Sequence, residues 1–353
     1  MNLNLTPVEV NIDIESLSLE RDAFYNVCFI AEHDTAERHI TVNVLKDLLD
    51  AGYTRDSLAY NFCVGVFAQQ TMPQVLIRAK RTSETYQQAY DAESNEGYYF
   101  LVIQSKDDSV ISSFESHVNS SGDSKLLFHS SNTNPLLNKK IVHYTHKLID
   151  VDKDVTDLIY INVKDHYINK AYNLGYTTRD FDTLSSEDFQ RARLAYPESA
   201  WIATCGNVFP STVQWLYKYL AKVEVNRDKV IPNLSNTSSM VIDNKATVGS
   251  GMTTQGIAIH EQVSLDWVQW ALSRKVWSTL YNNEKINATQ GGLALIVNDA
   301  KQVLDVAVEE GIFSEYRITD TNIDARSNKV SLYFTATLVQ SILNVEVNGS
   351  LHY

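Results

Sequence analysis

Apolar and polar residues alternate at both ends of this chain of 353 residues. Every second residue from Val8 to Ile14 is apolar, and a similar alternation begins again at Val345. A period of two residues is typical of a β-strand with one buried face. The residues that these two end segments would bury are Val8, Val10, Ile12, Ile14, Val345, Val347 and Leu351.

Between the two ends, short apolar runs alternate with stretches of helical period. Strands are predicted over residues 23–31, 74–79, 98–104, 125–129 and 156–162. Helices are predicted over residues 42–51, 57–70, 84–91, 110–118 and 164–173, with two further helical pieces between 197 and 223, around Pro210. Strands separated by helices indicate mainly parallel pairing. The predicted fold class is therefore α/β (α+β overall), with mixed sheets flanked by helices and extended strand arms at both ends.

The C-terminal part of the chain has the clearest periodicity. A helix that starts after Ser264 and ends near residue 281 is apolar nearly all round, which predicts burial on two sides, in a domain centre or at a subunit interface. A second helix, over residues 293–310, has a polar face. The residues assigned to that face are Asp299, Lys301, Asp305 and Glu309. Residues 330–338 alternate again, which predicts a half-buried strand.

These patterns divide the chain into consecutive parts. Residues 226–256 are rich in Ser, Thr and Asn, as expected of a loop or a domain connection. The predicted parts are an N-terminal arm (1–21), an α/β domain (22–225) with an outer insertion near 80–200, a connecting loop (226–260), a C-terminal core domain (261–340) and a C-terminal arm (341–353).

The composition is that of a compact, acidic globular protein. Hydrophobic residues make up 44% of the chain, and the formal net charge is −13. Phosphate binding needs clustered Lys and Arg, so this charge argues against direct contact with nucleic acid. No apolar run is long enough for a membrane span and the first residues lack a signal-peptide pattern, so we expect a protein that stays in the cytosol or leaves it by another path. Cys28, Cys63 and Cys205 are expected to be buried free thiols.

The motifs that usually carry chemistry are missing from the sequence. It contains no phosphate-binding loop, no dinucleotide fingerprint and no serine-hydrolase elbow. His143 and His146 have no third ligand at a metal-binding spacing, and the acidic run that starts at Asp150 lacks the glycine and the closing glutamate of a calcium loop. We therefore expect no catalytic, cofactor-binding or metal-binding residues.

The two alternating end segments need an explanation. Ordering about eight residues as a strand costs about 8–16 kcal/mol of backbone entropy. Burying four aliphatic side chains returns about 6–12 kcal/mol, so neither segment would be ordered alone. Added to an existing sheet, each would also gain the hydrogen bonds of the ladder. Two arrangements remain open, since the segments could complete the sheet of their own chain or add to sheets of neighbouring copies.

Two long stretches of the chain resemble a known family. Residues 41–80 contain a helix, a glycine, a second helix, Phe67-Ala68-Gln69-Gln70 and a Pro73 that leads into a strand. In the C-terminal region a Trp-rich helix, Gly291-Gly292, a helix that ends at Gly311 and a strand pair follow in order. In these stretches the chain resembles the contractile tail sheath proteins of myophages, of the shorter kind. It departs from them where Thr6-Pro7-Val8-Glu9-Val10 replaces an opening segment like Pro-Gly-Val-Tyr.

The resemblance implies a structural virion protein without a cofactor. Sheath subunits form stacked hexameric rings around a tail tube, between a baseplate and tail terminator proteins, and their terminal arms complete small sheets in adjacent subunits. Contraction of the sheath drives the tube through the host envelope during genome ejection. On this basis the sheath would be assembled in the host cytoplasm without inserting into a membrane. The polar face that includes Asp305 is a candidate for contact with the tube, and an ordinary solvated helix face is the alternative. Another tail or baseplate protein, or an α/β enzyme with an unrecognised site, remains the alternative.

Overall fold

A computed structural model gives the structure of this chain. It describes residues 24–34, 37–55, 57–69, 71–72, 74–92, 97–105, 107–121, 124–131, 137–145, 196–220, 239–242, 245–248, 251–324 and 329–341. These residues fall into two compact units, divided along the sequence between Gln262 and Val263.

The N-terminal unit is built on a six-stranded sheet. Its strands are β1 (Val27–Glu32), β2 (His39–Val42), β3 (Val75–Lys80), β4 (Phe100–Ile103), β5 (Leu126–Ser131) and β6 (Ile141–Thr145). They lie in the order β2-β3-β1-β4-β5-β6, and all neighbours are parallel except β2, which is antiparallel to β3. The parallel strands therefore follow the order 2-1-3-4-5 of a doubly wound sheet, with an antiparallel strand at one edge.

Helices accompany this sheet along the chain. They are α1 (Leu45–Asp50), α2 (Leu58–Phe67), α3 (Tyr86–Asp91), α4 (Asp108–Ser120) and α5 (Pro197–Cys205). Polar caps fix where some of them begin, because the Ser57 hydroxyl and the Asp107 carboxylate accept hydrogen bonds from first-turn amides of α2 and α4. Helix α1 is followed by Gly52, whose φ of 91° is a backbone angle that favours glycine.

The sheet separates two apolar layers. Ile30, Leu101 and Leu127 point to one side, where they belong to a buried cluster that includes Tyr90 of α3 and Phe114 of α4. Because side chains alternate along each strand, the neighbouring residues point to the other side, which α2 and α5 cover. A parallel sheet that is covered on both faces reads as continuous apolar runs, and this explains the composition of β4.

Four aromatic rings form the centre of the second layer. Phe100, Phe128, Trp201 and Trp215 have neighbouring ring centroids between 5.5 and 6.0 Å apart. The indole N–H of Trp201 donates a hydrogen bond of 3.1 Å to the carbonyl oxygen of Trp215, so burial leaves this donor satisfied. This cluster fixes α5 and the segment that follows it against β4 and β5.

The chain then leads through a small hairpin into the C-terminal unit. The hairpin consists of β7 (Ser239–Ile242) and β8 (Lys245–Val248), which pair antiparallel. Helix α6 (Ile259–Asn282) crosses the boundary between the two units, and α7 (Gln290–Glu309), β9 (Phe313–Asp324) and β10 (Lys329–Leu338) follow it. Thr289 caps α7 by accepting a hydrogen bond from the amide of Gly292.

The predicted α/β fold class and most of the predicted elements within the described residues are confirmed. Helix α6 begins six residues earlier than predicted, and Ser264, taken as its N-cap, is a buried residue inside it. The helix predicted after Pro210 is wrong, because residues 211–220 are not helical. Tyr217 has φ of 56°, and the Tyr217 amide and the Lys218 carbonyl oxygen form hydrogen bonds with the backbone of Val248. The stretch 226–260, predicted as a connecting loop, contains β7, β8 and the start of α6. The strand at 156–162 and the helix at 164–173 lie outside the described residues.

We expect Trp201→Ala to lower the free energy of unfolding of the N-terminal unit by about 3–5 kcal/mol, because it empties the centre of the aromatic cluster and removes a buried hydrogen bond. Leu137→Ala, at a position that is 67% exposed, is the control and should change the free energy by about 0.5 kcal/mol or less. Urea unfolding followed by circular dichroism measures both. Equal unfolding midpoints for the two variants would contradict the central role of the cluster.

Candidate strand-docking site

The hairpin of β9 and β10 is the candidate site. Its two strands pair antiparallel from Lys329 opposite Asp324 to Leu338 opposite Phe313. The register shifts twice, between Tyr333 and Phe334 and between Thr337 and Leu338, and each shift leaves one extra residue on β9. Bulges of this kind bend a strand and increase its right-handed twist.

The bulge in the middle of β9 keeps its apolar residues on one face. Along β10, Val330, Leu332 and Phe334 follow a strict period of two, whereas on β9 the step from Ile318 to Thr321 is three residues. The bulge absorbs the additional residue. Apart from Ser331, the half-buried or buried residues of the two strands consequently lie opposite one another, as the pairs Val330–Ile323, Leu332–Thr321, Phe334–Ile318, Ala336–Tyr316 and Leu338–Phe313.

The base of the hairpin is fixed to α7. Gly311, with φ of 73°, turns the chain out of the helix, and the Ile312 amide donates to the carbonyl oxygen of Ala307. The Tyr316 hydroxyl donates a hydrogen bond of 2.6 Å to a carboxylate oxygen of Asp305 on α7. Partial burial and this bond raise the pKa of Tyr316 to about 12, so the hydroxyl keeps its proton at physiological pH.

Beyond its base, the hairpin buries little of itself. Phe313 is the only fully buried residue in the two strands, and the apolar residues of the shared face are half-buried. An antiparallel hairpin of two strands is marginally stable on its own. The exposed remainder of this apolar face therefore favours a further covering element.

Both outer edges of the hairpin are open among the described residues. There, β9 pairs only with β10, and β10 only with β9. An open edge presents a row of unpaired backbone N–H and C=O groups, to which an extended segment can add by making ladder hydrogen bonds. The geometry therefore suits the docking of one strand on each side.

The predicted arm residues lie outside the described residues. They are Val8, Val10, Ile12, Ile14, Val345, Val347 and Leu351. Their role as strands that add to a neighbouring sheet stays a prediction. The alternation of apolar residues predicts β10 but not most of β9, because the three-residue step at the bulge interrupts the alternation that marks a strand.

The polar face predicted on α7 needs one correction. Lys301, Asp305 and Glu309 are exposed and follow one another at intervals of four residues, which places them on one stripe of the helix. Asp299 lies on the buried side instead, with a carboxylate oxygen 4.0 Å from the ammonium of Lys275 on α6. The helical period could have shown this, since two residues rotate a side chain by about 200°.

A doubly wound sheet has a second place where function often resides, the crevice where its strand order reverses. In this sheet the crevice lies at the carboxyl ends of β1 and β4. The polar groups there form hydrogen bonds with one another. A Glu32 carboxylate oxygen accepts a 2.8 Å hydrogen bond from Tyr86, the Gln104 side chain accepts one from the Glu32 amide, and the Gln104 carbonyl accepts one of 2.8 Å from Tyr196. The Lys80 ammonium lies 3.5 Å from Glu32.

Within the part of the chain that the structure describes, no group of three or more His, Cys, Asp or Glu side chains is placed to hold a metal ion. In the same residues, no helix combines the length and the apolar character needed to cross a membrane. Cys28, Cys63 and Cys205 are buried free thiols, as predicted, and burial raises the pKa of Cys28 to about 11.

Comparison with known proteins gives matches among solved structures. No protein-family model matches the chain, and no curated protein does. The helical sheath of the anti-feeding prophage in its contracted state is similar to this chain with a TM-score of 0.63 and 10% identity, over 97% of both chains. The sheath complex of an extracellular contractile injection system, PVC, also contracted, gives a TM-score of 0.57 and 11% identity over 97% of this chain and 95% of that one.

A third similar structure is the sheath tail protein Lin1278 from Listeria innocua. Its TM-score is 0.53 at 9% identity, over 89% of this chain and 94% of that chain. At such identities the likeness concerns the fold. It nevertheless covers nearly the full length of both partners in all of these comparisons. The resemblance drawn from the sequence is confirmed at that level: this chain has the fold of contractile tail sheath proteins.

Proposed function

We propose that this chain is a structural, non-catalytic subunit of a contractile tail sheath. Copies assemble as stacked hexameric rings around a tail tube, and the sheath shortens to drive the tube through an envelope. The observation that carries the proposal is the likeness to sheath proteins over 97% of this chain, which takes in both the doubly wound unit and the C-terminal unit. A baseplate component and a tail terminator protein are the partners at the two ends of the polymer.

In this proposal the terminal arms connect the copies. One arm, with Val8, Val10, Ile12 and Ile14 on its apolar side, adds to a hairpin edge of a neighbouring subunit, and the arm that contains Val345 does the same. The two open edges of β9 and β10 support this, because they offer one docking edge for each arm. The lengths are compatible as well. An alternating segment of seven residues spans about 23 Å, and β10 with ten residues spans about 33 Å.

The N-terminal arm allows a matched pair of substitutions. Val10 and Asn11 are adjacent, and a strand directs them to opposite faces, so Val10→Asp and Asn11→Asp add the same charge on different sides. Val10→Asp would bury an unpaired carboxylate in the docked strand. We expect it to reduce the polymerised fraction about tenfold or more, whereas Asn11→Asp leaves polymerisation unchanged. Analytical sedimentation and negative-stain electron microscopy of the purified chain measure this.

Two results would contradict the docking of the N-terminal arm on a neighbouring subunit. Equal polymerisation of Val10→Asp and Asn11→Asp would exclude a one-sided buried strand in this segment. A lower melting temperature of the dispersed Val10→Asp monomer, with polymers retained, would indicate that the arm pairs within its own chain. Deletion of residues 1–15 serves as a second variant. If the deletion leaves the assembly state unchanged, the N-terminal arm does not link neighbouring copies.

The exposed stripe of Lys301, Asp305 and Glu309 is the surface that we propose for contact with the tail tube. It is a regular row of charges on a long helix. Because Asp305 also holds Tyr316, the stripe is tied to the base of the docking hairpin. A contact there would connect the tube to the element that links neighbouring subunits.

Glu309→Lys should weaken binding to preassembled tail tubes by about tenfold or more, the scale of a contact charge that is reversed in sign. Glu310→Lys is the matched control, since it makes the same charge change at the C-cap of α7, one residue after the stripe ends. Cosedimentation with tubes of the cognate tail tube protein measures both. Equal loss or equal retention of binding in the two variants would remove the stripe from the tube interface.

The proposal extends to the cargo of the particle, which we infer to be a DNA genome. The resemblance to myophage sheaths favours a virion that is assembled in the host cytoplasm and ejects its genome, whereas two of the similar structures come from an anti-feeding prophage and an injection system. We expect nuclease-treated particles that contain this sheath to yield protected DNA of genome length. Particles without such DNA would assign the chain to an injection system and leave its sheath role intact.

A further inference from the structure

The second half of α6 exposes side chains that are usually buried. The first half of this helix, up to Ser273, consists mostly of buried residues. Beyond it, Trp277 is 39% exposed and Tyr281 is 73% exposed. The all-round apolar pattern of this helix predicted burial in a domain centre or at a subunit interface. The first half fits a domain centre, and the second half lacks a covering element among the described residues.

Three of the exposed side chains form a stack on one stripe of the helix. The guanidinium carbon of Arg274 lies 5.8 Å from the ring centroid of Trp277. The rings of Trp277 and Tyr281 are stacked, with centroids 5.0 Å apart and an angle of 14° between their planes. We call Arg274, Trp277 and Tyr281 the aromatic stack. Because the two rings already restrict each other's rotamers, a partner that covers them costs little additional side-chain entropy.

The chemistry of this stack is that of an interface hot spot. Trp, Tyr and Arg are the residues most enriched among those that dominate protein–protein binding. Transfer of a large apolar side chain from water into a protein interior stabilises by about 1.5–3 kcal/mol, and an aromatic ring that stays exposed does not contribute this free energy. An ordered stack in solvent therefore points to a surface that is covered in the working assembly.

The charges around the stack are opposite to those of the chain as a whole. Lys275, whose side chain is 42% exposed and whose ammonium lies 4.0 Å from Asp299, follows Arg274 in the sequence, and the exposed Glu284 and Lys285 follow Tyr281. Cations therefore outnumber anions between residues 274 and 285. The full chain has a formal net charge of −13. A second copy presents acidic groups such as Glu315 and Asp320 on the exposed side of β9, with Arg317 as a cation between them. The cationic aromatic surface and the acidic surface are complementary, and every copy has both.

We propose that the aromatic stack binds an acidic surface on a second copy of this chain. The proposal rests on the sheath function and adds a contact made by side chains to the strand exchange made by backbone. Since the two complementary surfaces are different parts of the molecule, the contact is heterologous. Contacts of this type close into rings or continue as helical polymers, whereas a contact between two identical patches ends at a dimer.

Hydroxyl-radical footprinting of the assembled and the dispersed protein tests the contact directly. Peptide mass spectrometry measures the oxidation of Trp277 and Tyr281 in both states. We expect their oxidation to fall about fivefold or more on assembly, as for aromatic side chains at the centre of an interface. Tyr217, which is 52% exposed in the N-terminal unit, is the aromatic control and should keep its reactivity.

Substitution provides an independent measurement. Tyr281→Ser removes an exposed ring without opening the core, and we expect it to raise the concentration needed for assembly about tenfold or more. Arg274→Glu should do the same, and in the wild type added salt should weaken assembly because the contact pairs opposite charges. Tyr217→Ser is the matched control and should assemble as the wild type does. Unchanged circular dichroism of each monomer verifies that the fold is retained.

The outcomes distinguish this contact from the sheath function itself. Assembly with Trp277 and Tyr281 as reactive as in the dispersed protein would overturn the contact and leave polymerisation in place, and a different partner such as the tube would then be the occupant. Equal assembly of Tyr281→Ser and Tyr217→Ser would also overturn it. A chain that stays monomeric at every concentration would overturn self-assembly, and this contact with it.

Discussion

Backbone hydrogen bonding at the edges of a two-stranded sheet is the constraint on which this structure depends. Folding requires nearly every buried N–H and C=O group to find a partner, and a hairpin of two strands leaves half of its groups directed outward. In β9 and β10 those groups are combined with an apolar face that the rest of the described unit covers only in part. Among the described residues, the hairpin is therefore incomplete in two respects, its ladder and its core. One added strand on each side would remedy both.

In the N-terminal unit, the polar groups at the usual ligand position of a common architecture are bonded to one another. Its parallel strands have the order that places ligands at the carboxyl ends of β1 and β4 in many proteins. Here Glu32, Gln104, Tyr86 and Tyr196 use their polar groups on one another. Function has to be argued from a site and not from a fold, and the polar groups at this position act as a connection between strands and helices.

An element can be predicted from the sequence where one unbroken hydrophobic period runs through it. The prediction fails where a bulge, a misleading residue type or a long-range contact conflicts with the local pattern. The unbroken alternation of Val330, Leu332 and Phe334 predicted β10, but the bulge in β9 shifts the period by one residue and conceals the strand. Asp299 was placed with the exposed charges because its residue type outweighed its angular position on α7. The helix expected after Pro210 is missing from residues 211–220, because backbone hydrogen bonds of Tyr217 and Lys218 to Val248, a contact between residues distant in sequence, override local propensity.

The bond between Tyr316 and Asp305 has a mechanical consequence. The bond joins β9 to α7 at a residue that follows the Gly311 turn. The turn and the bond are therefore two separate attachments between α7 and β9. One attachment would act as a hinge, while two resist rotation. A pull along β9 is then transmitted to α7 as a displacement of the whole helix. In the contracting sheath that we propose, such a brace would let tension in β9 displace the 20-residue helix α7.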